Sequence, residues 1–217
     1  MPKLFDALDV FDDIQPHSAA FNMAMDEVLL GIARRPLLRI YRWAHDAVSF
    51  GYFEKWSDVR GVVNSRDVVR RWTGGGIVGH GRDATYSLIV PAFHPLVAMR
   101  TADSYAAIHR AIAVLLGGVV APGDTSAISR ECFENPVRFD VLLNERKVAG
   151  AAQRRSRSGL LHQGSVQGIR DLEGFRSRLP LELAERVMPF EADEQIWAVA
   201  DTLAREKYGQ PGWLEMR

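Results

Sequence analysis

One cysteine, Cys132, stands among the 217 residues. No intramolecular disulfide can form, which agrees with a reducing cytosol. Charge is balanced: Lys and Arg number 27, and so do Asp and Glu. A chain without net charge carries no overall electrostatic footprint for nucleic acid. The apolar runs fall short of the ~20 residues that span a bilayer, and residues 1–13 are acidic and broken by charges, unlike a signal peptide. A cytoplasmic protein is expected, with neither nucleic acid nor a membrane as partner. Zinc-spaced Cys/His clusters, H-E-x-x-H and G-x-S-x-G are missing as well. That argues against a catalytic metal and against a Ser/His/Asp nucleophile. Repeats and low-complexity tracts do not occur.

Glycine, by contrast, is concentrated in one place. Five of the eight residues from Gly74 to Gly81 are glycine, preceded by Arg70-Arg71-Trp72-Thr73. Glycine lets backbone N–H groups approach a ligand, and arginine offers a fixed fork of donors for carboxylate or phosphate. The stretch reads as a loop that cradles an anion or a long flexible ligand, or else as a tight turn with surface arginines. Residues 74–79 match G-x-G-x-x-G, but residues 85–91 are β-branched and apolar where a dinucleotide fold needs a helix. A P-loop fails because His80-Gly81 stands where Lys-Ser/Thr would be.

Phe21, Ala24, Met25, Val28, Leu29 and Ile32 follow helical spacing, with Ser18 to cap them and Pro36 beyond. Strands are expected at 37–43, 47–52, 62–63, 68–72 and 85–90. A helix capped by Asp103 or Ser104 stops at Gly117-Gly118. Residues 121–130 read as an irregular loop. Strands at 138–143 and 147–152 join around Asn144-Glu145, and another covers 160–166. From Asp171 the pattern turns helical, with a good helix at 191–208. The order predicts one α+β domain, a largely antiparallel sheet flanked by helices, with a short helical tail from about residue 170.

Several side chains could carry chemistry. A lone cysteine is by default a small buried hydrophobe, but a nearby cation would make Cys132 a nucleophile. Lys147 is the candidate cation. Behind it Ala149, Gly150, Ala151 and Ala152 leave a strand almost without bulk, as expected where a ligand lies against backbone. His80, Asp83 and His162 are further polar candidates, His162 being placed where a satisfied core histidine is the commoner outcome. Arg154-Arg155-Ser156-Arg157 could dock an acidic partner or be a solvated loop.

Arg70-Arg71-x-Thr73-Gly74-Gly75-Gly76 with His80 downstream resembles the lipoate-site motif of the lipoate–protein ligase A, octanoyltransferase and biotin–protein ligase superfamily. Residues 22–27 resemble its first-helix motif, and residues 38–43 with 48–51 the strands that follow. Residues 138–141, 146–153 and 162–165 resemble its second catalytic block. The likeness runs from residue 18 to 166. It implies a mixed or antiparallel sheet flanked by helices, and delivery of a lipoyl or octanoyl group to a lysine of a lipoyl carrier domain. Such carriers belong to 2-oxoacid dehydrogenases or are glycine cleavage H-type proteins. Arg71, Gly74, Gly75, Gly76 and His80 are implied to hold the acyl end or its activating group. Lys147 would contact the reacting carbonyl, while Gly150, Ala151 and His162 line the acyl tunnel. Residues 1–170 would form the catalytic domain and residues 171–217 a short helical extension packed on it.

Two mechanisms share that scaffold. A ligase uses ATP and Mg²⁺ to make an acyl-adenylate. An acyltransferase takes octanoyl from acyl carrier protein, already activated as a thioester, and needs no cofactor. Cys132, in a Cys-Phe-x-x-Pro context, resembles the cysteine of one bacterial octanoyltransferase branch, and residues 83–91 are closer to that branch. Gly74-Gly75-Gly76 is the ligase form, and Val78-Gly79-His80-Gly81 departs from the family's Val-Tyr/Leu-His-Asp. Residues beyond 170 leave no room for the C-terminal domain that many ligases use for adenylation. The transferase is favoured, with Cys132 and Lys147 catalytic. The alternatives are an ATP-dependent ligase, with or without a separate C-terminal subunit, and a non-catalytic acyl-binding or carrier-docking module.

Overall fold

The computed structural model describes residues 2–63, 65–122 and 138–216. Cys132 and most of the irregular loop lie outside the described residues. Strand β1 (Phe5–His17) leads into α1 (Ala19–Ile32), then β2 (Leu37–Trp43), β3 (Ala47–Phe50), one-turn α2 (Trp56–Val59), β4 (Asp67–Arg70), β5 (Ile77–His80) and β6 (Ala84–Pro91). One-turn α3 (Pro95–Ala98) and α4 (Thr101–Leu116) precede β7 (Val119–Val120), β8 (Val141–Leu143), β9 (Arg146–Ser156) and β10 (Gly159–Val166). The chain closes with α5 (Leu172–Leu183), β11 (Ala184–Pro189), α6 (Glu194–Leu203), a π-helical turn at Ala204–Tyr208 and α7 (Pro211–Leu214).

Eight of these strands form one sheet in the order β11-β1-β2-β6-β10-β9-β8-β7. β1 runs parallel to both its neighbours, and the other pairs are antiparallel. A second sheet, β4-β3-β5, stands beside it. Alternation along the central strands splits the core. On one face Leu38, Tyr86, Leu88 and Leu160 pack with Ile108 and Ile112 of α4 and with Phe175 and Leu179 of α5. On the other, Leu37, Ile89 and Leu161 pack with Met25 and Leu29 of α1 and with Ala200 of α6. Helices therefore flank a largely antiparallel sheet, as the sequence predicts. No helix among the described residues is long and apolar enough to cross a membrane.

Local signals act where expected at α1, whose start is capped by Ser18 Oγ accepting from Phe21 N at 3.3 Å. The hairpin between β8 and β9 turns on Asn144 and Glu145, with φ 49° and 64°. Elsewhere the structure differs. β1 is a strand through its parallel ladders to β2 and β11, but Phe5, Leu8 and Phe11 are buried at intervals of three and its register shifts between Asp13 and Pro16. Neither feature gives a period-two pattern. β11 interrupts a region read as helical; it is an edge strand with most side chains exposed, so it shows no alternation either. α4 begins at Thr101 with Arg100 at its cap, not Asp103 or Ser104. Asp103 instead pairs with Arg100 at 2.6 Å from the first turn, where a carboxylate suits the helix dipole. Residues 62–63 form a turn, and β5 occupies part of the glycine stretch read as loop.

Candidate acyl-transfer site

The glycine loop is built from its own arginines. Arg70 is fully buried and donates to the carbonyls of Tyr52 (2.9 Å), Glu54 (2.7 Å) and Leu214 (2.8 Å). Arg71 donates through Nη1 to Ser49 Oγ at 2.7 Å, and through Nη2 to the carbonyls of Gly74 and Gly76 at 3.0 and 2.9 Å. A guanidinium fork thus folds residues 74–76 around itself. Gly51 packs against the loop so closely that a Cβ there would stand 1.8 Å from the Gly75 carbonyl oxygen. Thr73 Oγ1 anchors the loop to the main sheet, donating to Gln163 Oε1 at 2.7 Å. Gln163 donates in turn to Asp26 Oδ2 at 2.7 Å. Asp26 and Asp13 both pair with the buried Arg39, at 2.8 and 2.7 Å, so the anchor ends in a buried ion cluster.

His80 leaves the loop on β5. Its ring stacks on Trp43 with centroids 4.1 Å apart, Nε2 lies 2.6 Å from Ser49 Oγ, and Nδ1 lies 2.8 Å from Asp83 Oδ2. Asp83 also accepts from Thr85 and Ser165 hydroxyls, both at 2.7 Å, and from Gly81 N at 3.1 Å. Burial alone would raise its pKa; the His80 charge and the donated bonds outweigh burial and hold the carboxyl well below the usual range. Ser49 links this pair to Arg71, so Arg71, Ser49, His80 and Asp83 form one line.

Lys147 meets that line across β9 and β10. Val141 pairs with Ala149 but the next residue, Leu142, pairs with Lys147, so β9 bulges by one residue. The bulge places Lys147 on the same face as Gly150. Lys147 Nζ lies 2.7 Å from Asp140 Oδ2, with both side chains almost wholly buried. A Cβ on Gly150 would approach Lys147 Cε to 2.8 Å and Nζ to 3.0 Å. Gly150 is thus the floor on which the lysine lies. Across the ladder Gly150 faces Ser165 and Ala152 faces Gln163, the partners of Asp83 and of Thr73. One sheet face therefore holds Lys147 and the glycine-loop anchors, with only Gly150 and Ala152 between them on β9.

Alternation sends Ala151 and His162 to the opposite face, beneath α4. Ala151 N donates to Tyr105 Oη at 3.0 Å. His162 is fully buried beside Tyr86, Tyr105 and His109. Ser104 donates to Gln153 Oε1 at 3.1 Å, which leaves the Gln153 amide N–H for His162 Nδ1 at 3.1 Å. His162 then carries its proton on Nε2, 3.2 Å from Tyr86 Oη. Burial first, and His109 second, push its pKa well down, so the ring is neutral.

The basic run does not make one patch. Arg154 stacks over Trp72 at 4.4 Å and bonds its carbonyl at 3.3 Å. Arg155 points the other way, to Ser104 Oγ at 2.7 Å and to the Val97 carbonyl. Ser49, Asp140, Gln163 and Ser165 are site residues beyond the sequence candidates. A period-two reading of β10 would have found two of them, since Gln163 and Ser165 are polar residues on one face of a buried strand. Ser49 and Asp140 needed the tertiary structure. Among the described residues no group of three or more His, Cys, Asp or Glu is placed to hold a metal ion.

The chain is similar to several known proteins. An octanoyltransferase LipM of Oceanobacillus iheyensis is 35% identical over 165 residues, which cover 70% of this chain and 60% of that protein. The LipM of Carboxydothermus hydrogenoformans is 36% identical over 172 residues, covering 72% and 63%. The match thus spans less than two thirds of either relative. A T. acidophilum protein solved with bound lipoic acid shares the fold, with a TM-score of 0.77 and 19% identity over 96% of this chain and 98% of that one. The model of the lipoyl protein ligase A/B catalytic domain matches residues 18–191, and the chain belongs to that family.

Proposed function

We propose that this chain is a cytoplasmic octanoyltransferase, moving octanoyl from its thioester on acyl carrier protein to a lysine of a lipoyl domain. The acceptors would be lipoyl domains of 2-oxoacid dehydrogenases or glycine cleavage H-type proteins. Residues 1–170 carry the catalytic domain, and residues 171–217 are an extension packed on it. The observation that supports this reading best is Lys147, held by Asp140 over Gly150 on the face that also anchors the glycine loop. A strip without side-chain bulk suits a straight acyl chain, and a buried ammonium at its end suits a carbonyl that gains negative charge.

In the first step the Cys132 thiolate attacks the thioester carbonyl, forming an enzyme thioester and releasing the carrier thiol, which takes up a proton. In the second the acceptor lysine amine attacks that thioester, the amide forms, and the amine proton returns to the departing Cys132 sulfur. Lys147 stabilises the oxyanion in both. Thioester energy drives the amide bond, so no nucleotide is consumed. Gly76 favours a second reading, since the ligase form of the motif has glycine there. In that case ATP and Mg²⁺ would activate free lipoate. Arg71 fits that reading poorly, because its Nη1 and Nη2 already hold Ser49, Gly74 and Gly76.

The test is to incubate the chain with octanoyl-acyl carrier protein and no acceptor, and map the octanoyl group by peptide mass. The transferase reading expects it on Cys132 and absent from Cys132→Ser. Full transfer by Cys132→Ser would remove the covalent route.

A further inference from the structure

Helix α4 touches the Lys147 site twice, through Tyr105 and His109, one turn apart on one face. Their rings lie 4.1 Å apart. Tyr105 Oη donates to Asp140 Oδ1 at 2.6 Å and accepts from Ala151 N at 3.0 Å. Ladder pairing with β8 stops at Ala149, so Tyr105 takes over where that strand ends. It ties the carboxylate to the strand beside Gly150. The other carboxylate oxygen holds Lys147 at 2.7 Å. His109 works one residue earlier: Nδ1 donates to the Phe139 carbonyl at 2.8 Å.

Phe139 sits at φ 72°, in the left-handed region that a bulky side chain rarely adopts. Such a conformation persists only where its surroundings hold it. Phe139 N donates to the Ala121 carbonyl at 3.0 Å, and Ala121 N donates to the Asp140 carbonyl at 2.8 Å. His109 completes the clamp. Its Nε2 is buried with no hydrogen-bond partner among the described residues, a cost that leucine at this place would avoid. The Nδ1 bond to Phe139 is the contact that offsets that cost. Burial drives its pKa down to about 4, so at neutral pH the ring keeps a single proton, the one on Nδ1. Tyr105, raised well above its usual pKa by burial first and Asp140 second, remains a donor.

We propose that Tyr105 and His109 are positioning residues for Lys147, Tyr105 through Asp140 Oδ1 and His109 through the left-handed turn at Phe139. Their catalytic consequence rests on the reading of Lys147 as the group that meets the reacting carbonyl. The geometric half does not, and this separates the two in experiment.

The full chain is labelled with trinitrobenzenesulfonate, and modification of Lys147 is followed by peptide mass. In parallel, kcat and KM are measured for octanoyl transfer. Tyr105→Phe, which keeps the ring, is expected to label Lys147 about threefold faster or more, the scale of one lost hydrogen bond. The same variant should lose about tenfold or more in kcat with KM for the octanoyl carrier within about twofold, as misplacement of a reacting group does. His109→Leu should behave alike. His109→Asn, whose amide N–H can stand where Nδ1–H stood, should return both readouts toward wild type. Unchanged labelling in Tyr105→Phe overturns the inference whatever the activity, as does faster labelling with unchanged kcat. A wild-type chain that transfers nothing from any donor overturns the transferase reading instead, and labelling alone then decides the clamp.

Discussion

Lys147 reaches Asp140 across a residue that has no side chain, and Gly150→Ala is the smallest change that disturbs it. The new methyl would crowd Cε and Nζ, the flexible end of the lysine, so the side chain can move aside. Stability should fall as well, by about 1–3 kcal/mol, because the buried Asp140 carboxylate loses its ammonium partner. Activity should fall about tenfold or more, since Nζ leaves its bond to Asp140. Transfer rates beside a urea melt check both halves. Lys147→Ala should disable transfer altogether. The sequence marked this lysine and the small residues behind it. It could not show the bulge that puts Lys147 and Gly150 on one face, because a bulge breaks the period-two rule on which a strand reading depends. Asp140 lies in residues 138–141, which resemble part of the family's second catalytic block, but its pairing with Lys147 is a tertiary fact.

At the scale of elements, the glycine loop is held by β3, β10 and α1 rather than by its own turn chemistry. Thr73→Val keeps the shape of the side chain and strands Gln163 Oε1, a buried acceptor, at a cost of about 1–3 kcal/mol. Gly51→Ala is harsher. Its methyl meets backbone at Gly75, which has no rotamer to yield, and a loss above ~2 kcal/mol is expected. Denaturant midpoints of the two variants give the order. Helix α1, β2, β6, the β8–β9 hairpin and β10 were legible because caps, alternation and turn residues all agree there. β1 and β11 were not, since both depend on parallel partners distant in sequence and neither alternates. The arginine pair was legible as important, and the bonds it makes to the protein are a tertiary fact. Guanidinium forks that suit a ligand's anion serve equally well for backbone carbonyls, and here their described bonds go to carbonyls and a serine.

The whole molecule buries two neutral histidines, His109 and His162, against one α4-covered face, and its stability should register them. Above pH 6.5 both the folded and unfolded chain hold His109 neutral. Between pH 6.5 and about 4 only the unfolded chain takes up the proton, so stability falls as pH falls. The loss from this residue reaches roughly 3 kcal/mol at the low end. Urea unfolding at pH 7.5 and 5 should show a shallower decline in His109→Asn than in wild type. The C-terminal segment also belongs to the site's support: Leu214 accepts from Arg70, Trp213 Nε1 donates to the Arg70 carbonyl at 3.0 Å, and Lys207 pairs with Glu27 of α1 at 2.6 Å. Sheet, glycine loop and C-terminal segment thus support one face, and the chemistry proposed for it is direct to examine. A purified lipoyl domain is incubated with the chain and octanoyl-acyl carrier protein without nucleotide, and separately with free lipoate, ATP and Mg²⁺, and its intact mass is read. An octanoyl mass gain in the first reaction alone is expected; a gain only in the second, or in neither, would rule out a thioester-fed transferase.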